Sequence, residues 1–141
     1  MIGSQPRVAS KASIFFWALL FVMMEPPQQP AVCRCFRAKG KVQKVMFRQT
    51  VIRAMIKREI EGGATNRKDD HQAVDLTMCG DDAAITALIE RIGNGNPLNS
   101  WGACASSVLE VENGEIDWTK HKVTTSNVDT FNWHGNVEMF I

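Results

Sequence analysis

What this chain lacks narrows it before any motif is read. Four cysteines in 141 residues are too few for a disulfide scaffold. No internal repeat is visible, which excludes solenoids and propellers. Neither a C-x2-C pair nor an H-x3-H pattern occurs, so no zinc-type spacing is present. No apolar run approaches the roughly 20 residues needed to cross a bilayer. An excess of one charge is missing too. Sixteen basic and fifteen acidic residues leave +1, and bulk charge does not announce a nucleic-acid binder. What remains is ordinary for a globular protein, at 45% apolar and 22% charged residues. The length favours one domain with a core of useful size and argues against a wholly disordered chain or a coiled coil.

Two local features depart from these averages. Arg7 and Lys11 precede the eleven-residue apolar run Ile14–Met24, and Glu25-Pro26-Pro27-Gln28-Gln29-Pro30 follows it. The run fits the hydrophobic region of a secretory signal, although no convincing small-x-small cleavage site follows. Three readings stay open: a signal or anchor, a membrane-surface helix touching lipid through residues 14–24, and a non-native or unprocessed leader. The proline-rich stretch is a linker under each, so residues 1–30 are expected to be separate from a folded unit over 31–141. The second feature is charge. Nine basic residues lie between Arg34 and Arg58 with no acid among them, whereas residues 94–141 hold six acids and two lysines. A positive field of that kind suits an anionic partner, and a solvated basic face is the plainer reading.

Periodicity then lays out the folded unit. Val32 to Ala38 reads as a strand and 40–46 as a loop. Phe47, Val51, Ile52, Met55, Ile56 and Ile60 form one helical face, with Gly62-Gly63 expected as its stop. Ala64 to Asn66 suits a short strand. Val74, Leu76 and Met78 alternate along a strand over 73–79. Gly80-Asp81-Asp82 opens a second helix whose stripe is Ile85, Leu88, Ile89 and Ile92, closed by Gly93. Ala103 to Val111 reads as a strand, 112–135 is ambiguous, and 137–141 is expected to be the last strand. The order matches an α+β, ferredoxin-like two-layer α/β sandwich (βαββαβ), an antiparallel sheet with two helices on one face.

The chemistry concentrates where the first strand enters the first helix. There the segment Gly40-Lys41-Val42-Gln43-Lys44-Val45-Met46-Phe47-Arg48 leads into a helix N-terminus, whose free N–H groups and dipole attract an anion. Arg48 can add a two-pronged contact to phosphate. This nonamer resembles the acylphosphatase signature G-R-V-Q-G-V-x-F-R at six of its eight specified positions. Gly62-Gly63-Ala64-Thr65-Asn66 is similar to that family's second signature, G-[aromatic]-[A/V]-x-N, and Val74 to Gly80 matches its V-x5-G continuation. Arg48 and Asn66 stand eighteen positions apart, as they do in the family, and the likeness covers about residues 32–111.

The resemblance implies a metal-independent hydrolase without a cofactor, acting on carboxyl-phosphate mixed anhydrides. Inorganic phosphate would be product and competitive inhibitor. It also implies a monomer that takes no nucleic acid, and a cytoplasmic location unless residues 1–30 act as a signal or anchor. Arg48 takes the catalytic arginine's position, with main-chain N–H groups of Lys41, Val42, Gln43, Lys44, Val45, Met46 and Phe47 around the phosphate. Asn66 takes the position that orients the attacking water. Some positions depart from the family. Lys44 replaces the second signature glycine, Lys41 replaces arginine, and Gly63 stands where an aromatic is usual. The turn after Asn66 is about two residues longer, and 112–135 is an extended connection. The rival is a noncatalytic module of the same fold, binding an anion or RNA through residues 34–58.

Other candidates have plainer readings. Cys33, Cys35, Cys79 and Cys104 are expected to be small buried hydrophobes, with a disulfide open but unassigned. His71, His121 and His134 are expected at the surface, and Asp69, Asp70 and Asp75 as solvated acids. Trp101, Trp118 and Trp133 lack interleaved basic residues, so core or loop packing is the default over a base-stacking platform.

Overall fold

The computed structural model describes residues 31–141. The leader-like segment 1–30, with its apolar run and proline linker, lies outside the described residues.

Five strands and two helices follow in the order β1 (Val32–Lys41), α1 (Phe47–Lys57), β2 (Glu61–Asn66), β3 (Ala73–Gly80), α2 (Asp82–Ile92), β4 (Cys104–Val111) and β5 (Val123–Thr124). The sheet order is β4-β1-β3-β2-β5, and every pairing is antiparallel. This is the βαββαβ ferredoxin-like sandwich, extended by a short edge strand. Alternation sorts the sheet. Phe36 and Ala38 of β1 and Val74, Leu76 and Met78 of β3 enter one core with Val51, Ile52 and Met55 of α1 and Ile85, Leu88 and Ile92 of α2. Both helices therefore cover the same face. Ile56, expected in the apolar stripe of α1, is 45% exposed.

Three local expectations are corrected. The first helix does not stop at Gly62-Gly63. Arg58 is its C-cap and Glu59 takes the left-handed conformation at φ 57°. Glu59 N–H donates to the Ile56 carbonyl and Ile60 N–H to that of Met55, which closes the helix in a Schellman motif. The glycine pair is thereby released into β2, opposite Met78 and Thr77. Residues 137–141 form no strand. A single bridge joins Asn99 to Met139, and the segment hydrogen-bonds to the 98–100 loop. Its end is held by Lys57 Nζ, which donates to the Ile141 carbonyl. The edge beside β2 belongs to Val123–Thr124 instead. Finally, Cys33 and Cys79 are directly opposed on β1 and β3 and are joined as a disulfide. Of the cysteines read as buried hydrophobes, Cys35 is buried and Cys104 half-buried.

The extended connection after β4 crosses the sheet face away from the helices. Ile116 is buried there, and a hollow between strap and sheet is lined by Cys33, Cys35, Thr77 and Ile116. His121, expected at the surface, is half-buried instead. Its Nδ1 lies 2.8 Å from Thr65 Oγ1 and its Nε2 2.8 Å from Thr77 Oγ1. A Cβ on Gly63 would come within 2.5 Å of the His121 side chain. The absent side chain at Gly63 is thus the space the imidazole occupies.

Burial holds His121 below its ordinary value, against the opposing pull of Asp75 and Asp117. The unfolded chain then binds more protons than the folded one in the interval just under about pH 6.5, so stability falls as pH drops through it. Denaturant unfolding of the wild type is expected to lose stability between pH 7.5 and 5.5, and a His121→Gln variant to lose less. Gly63→Ala should lower stability by roughly 1–3 kcal/mol, as over-packing does. A double-mutant cycle with His121→Ala should show coupling, whereas additive effects would place the strap elsewhere.

Candidate active site

Strand β1 reaches the site through a bulge. The register with β4 shifts between Lys39 and Gly40, and Gly40 has φ 135°. A Cβ there would meet the Cys104 carbonyl oxygen and the Ser106 nitrogen at 2.7 Å each. Only glycine suits that approach, which explains the first position of the nonamer. The chain then turns through two left-handed residues, Lys44 at φ 67° and Met46 at φ 61°. Such a conformation costs a side-chain-bearing residue roughly 1–2 kcal/mol.

Helix α1 starts without help. Its N-cap is Met46, no side chain caps it, and no acid stands in its first turn. Among the described residues, the main-chain N–H groups of 42–46 donate to no protein acceptor. Free donors at a helix N-terminus are groups that an anion can take.

Two side chains hold this loop. Gln43 Nε2 donates to the carbonyls of Arg67, Asp70 and Ala73, at 3.2, 3.1 and 2.9 Å, and so ties the loop to the turn after Asn66. The buried Asn99 holds the other side. Its Nδ2 donates to the Val45 carbonyl and to Thr50 Oγ1, both at 2.9 Å, and its Oδ1 accepts from the N–H groups of Trp101 and Ala103. Thr50 Oγ1 in turn donates to the Met46 carbonyl at 2.7 Å. Asn99 lies in a stretch that sequence reads only as loop, because its partners are some fifty positions away.

Within this frame Arg48 and Asn66 line one cavity of about 200 Å³, together with Val42, Lys44, Met46, Phe47, Gln49 and Trp101. Gln43 lines an adjoining hollow that Arg48 and Asn66 share. Val45 is buried, and Lys41 extends over Gly102, whose added Cβ would lie 3.2 Å from Lys41 Nζ. The Arg48 guanidinium is half-buried and has neither a hydrogen bond nor an ion pair among the described residues. Burial pushes it below its ordinary value, yet an arginine keeps its charge. Asn66 Oδ1 and Gln49 Oε1 are buried without hydrogen-bond partners. Such atoms mark either strain or a missing ligand or water.

Gln49 and Trp101 were not singled out for this site by sequence. Gln49 could have been, since it follows Arg48 in the first turn. Trp101 is half-buried at the cavity wall rather than simply packed, with its ring 4.9 Å from that of His134. Trp118 is 63% exposed, and Trp133 lies under the Arg53 guanidinium.

The basic run is not a single patch. Arg34 is bound by Glu110 and Asp82, Arg37 by Asp75, Lys39 by Asp70 and Arg53 by Asp129. Asp75 is correspondingly a half-buried ion-pair centre that also receives Arg67, and not a solvated acid. Lys41, Lys44 and Arg48 around the loop have no acidic partner among the described residues, and Lys57 and Arg58 at the far end of α1 donate to main-chain carbonyls instead.

The family model described as Acylphosphatase matches residues 35–124. An acylphosphatase of Pyrobaculum islandicum is 30% identical over 84 residues, 60% of this chain and 77% of that protein. Among solved structures, the acylphosphatase from Bacillus subtilis is 25% identical with a TM-score of 0.48, over 60% of this chain and 88% of that one. The acylphosphatase from Coxiella burnetii is 28% identical with a TM-score of 0.49, over 62% and 88%.

Asn99→Ala strands several buried polar groups and should cost about 2–4 kcal/mol. It should also weaken inorganic phosphate binding, measured by calorimetry, more than Leu76→Ala, a core truncation in the same stability range. Equal phosphate affinity in the two variants would make Asn99 a purely structural residue.

Proposed function

The chain belongs to the acylphosphatase family, and from that premise we propose that it hydrolyses acyl phosphates to a carboxylate and inorganic phosphate. The observation that carries the reading is the pairing of unspent groups on one cavity. The half-buried Arg48 guanidinium has no counter-ion among the described residues, the buried Asn66 Oδ1 has no donor, and both residues line the same small space.

The proposed chemistry follows from what those groups can do. The phosphoryl group sits against Arg48 and the main-chain N–H groups of the 41–47 loop. A planar guanidinium matches two phosphoryl oxygens, and fixed donors around it stabilise the charge of the transition state without reorganising. Asn66 holds a water through its carboxamide. A carboxamide carries no charge, so it positions the nucleophile without adding repulsion to an anionic site. The water oxygen bonds to phosphorus as the phosphorus–oxygen bond to the carboxyl group breaks. The carboxylate departs with the bonding pair, and both protons of the water leave with the phosphate. Carboxylate is a good leaving group, so positioning and electrostatics suffice and no side-chain nucleophile is needed.

Lys44 fits this account as an exposed lysine that accepts the left-handed conformation where the family has glycine. The signature's second glycine is therefore replaced without loss of the turn, and the replacement adds a cation to the cavity wall.

Full-length protein given benzoyl phosphate with a chelator present should turn it over, and phosphate should inhibit competitively. Arg48→Ala should lower kcat/KM by about 10³-fold or more and abolish phosphate inhibition. Asn66→Ala should lower kcat by about 10²-fold while leaving phosphate affinity near the wild-type value. Absence of turnover, with salt-sensitive RNA binding in its place, would favour the noncatalytic rival.

A further inference from the structure

Beside the small cavity lies an open hollow of about 680 Å³, and Arg48 and Asn66 line both. Its lining is otherwise basic as well. Lys68 comes from the turn after β2, and Lys120 and Lys122 come from the strap. His121 between them is pinned by hydrogen bonds at both ring nitrogens, to Thr65 and Thr77, over the bare backbone of Gly63. With His121 turned onto the sheet, its neighbours on either side line the hollow.

The local charge does not cancel. Arg67 is spent on Asp69 and Asp75, and Lys120 lies 3.6 Å from exposed Asp117. Lys68 and Lys122 have no acidic partner among the described residues, and neither has Arg48. A hollow lined by several cations, whose two exposed neighbouring acids Asp69 and Asp117 are each held by one of them, attracts a second negative group whenever the first is held on Arg48.

Resting on the acyl phosphate reading of the site, we propose that this hollow is a second anion subsite, and that the enzyme prefers acyl phosphates whose acyl group carries its own carboxylate or phosphate. In-line displacement sets the leaving carboxyl oxygen opposite the water held by Asn66. The acyl chain must therefore turn back past Arg48 to reach the lysines. A flexible spacer of two or three carbons allows that turn, and a second anion directly on the carbonyl does not.

Hydrolysis-proof analogues, in which a methylene replaces the anhydride oxygen, test the subsite by binding alone. Calorimetry on the full chain would compare 5-oxo-6-phosphonohexanoate with (2-oxohexyl)phosphonate, which has a methyl group in place of the carboxylate. The carboxylate compound should bind about five- to tenfold tighter at low salt, and the advantage should shrink as salt rises. Lys120→Gln with Lys122→Gln should erase the advantage while inorganic phosphate binds as before. Equal affinity for the two analogues in the wild type, or an advantage that survives the double variant, overturns the subsite. Loss of the neutral analogue's binding in Arg48→Ala tests the cradle separately. If neither analogue binds the wild type, the cradle fails and the subsite with it.

Discussion

An uncompensated positive charge at the start of the first helix is the constraint on which the rest of the site depends. The N-terminal end of α1 has no capping side chain and no acid in its first turn, and Arg48 adds a full charge in that same turn. A cation at the positive end of a helix dipole is unfavourable by roughly 0.3–1 kcal/mol, and burial of the guanidinium adds to this. The two left-handed residues before it, Lys44 and Met46, are a further cost. Nothing within the described fold neutralises this end. An oxyanion would satisfy the loop amides, the dipole and the guanidinium at once. Backbone strain of this kind clusters at ligand clamps and active sites.

The surrounding structure is arranged to keep that loop in place. Gly40 lets β1 leave the sheet at a bulge too tight for any Cβ. Gln43 fastens the loop to the turn beyond Asn66, and Asn99 fastens it to the connection before β4. One side of the site is thereby fixed through β2 and β3, the other through β4. Asn66 ends β2 with its pairing to Val74, so its carboxamide is referenced to the central sheet. Two side chains eighteen positions apart in sequence line one cavity because a helix carries the chain back across the sheet to β2.

Sequence reading recovered what local patterns encode. The stripe Phe47, Val51, Ile52 and Met55, the alternation Val74, Leu76 and Met78, and the Asp81 cap all follow from period and propensity, and each is found. Arg48 and Asn66 were legible as a spaced pair, and the structure lines one cavity with both. Features set by distant partners were not legible. Glu59 became the helix stop because Gly62 and Gly63 were needed opposite β3. Residues 137–141 alternate like a strand, yet the free edge of β2 was already taken by Val123–Thr124. His121 looked like a surface histidine because nothing local reveals the two threonines that hold it. Cys33 and Cys79 could be paired only once the β1–β3 register was known.

The glycine at position 63 and the long strap that follows β4 describe one adaptation. The imidazole of His121 fills the space over the backbone of β2, and in doing so brings Lys120 and Lys122 beside the site. The proposed chemistry requires that the loop amides and Arg48 share one anion. The most direct measurement is a titration of the ¹⁵N-labelled protein with inorganic phosphate, followed through its amide resonances. The account predicts saturable shifts concentrated on residues 42–49, with one common dissociation constant, and their loss in Arg48→Ala. Shifts confined to the strap lysines, or unchanged resonances for residues 42–49 at saturating phosphate, would contradict it.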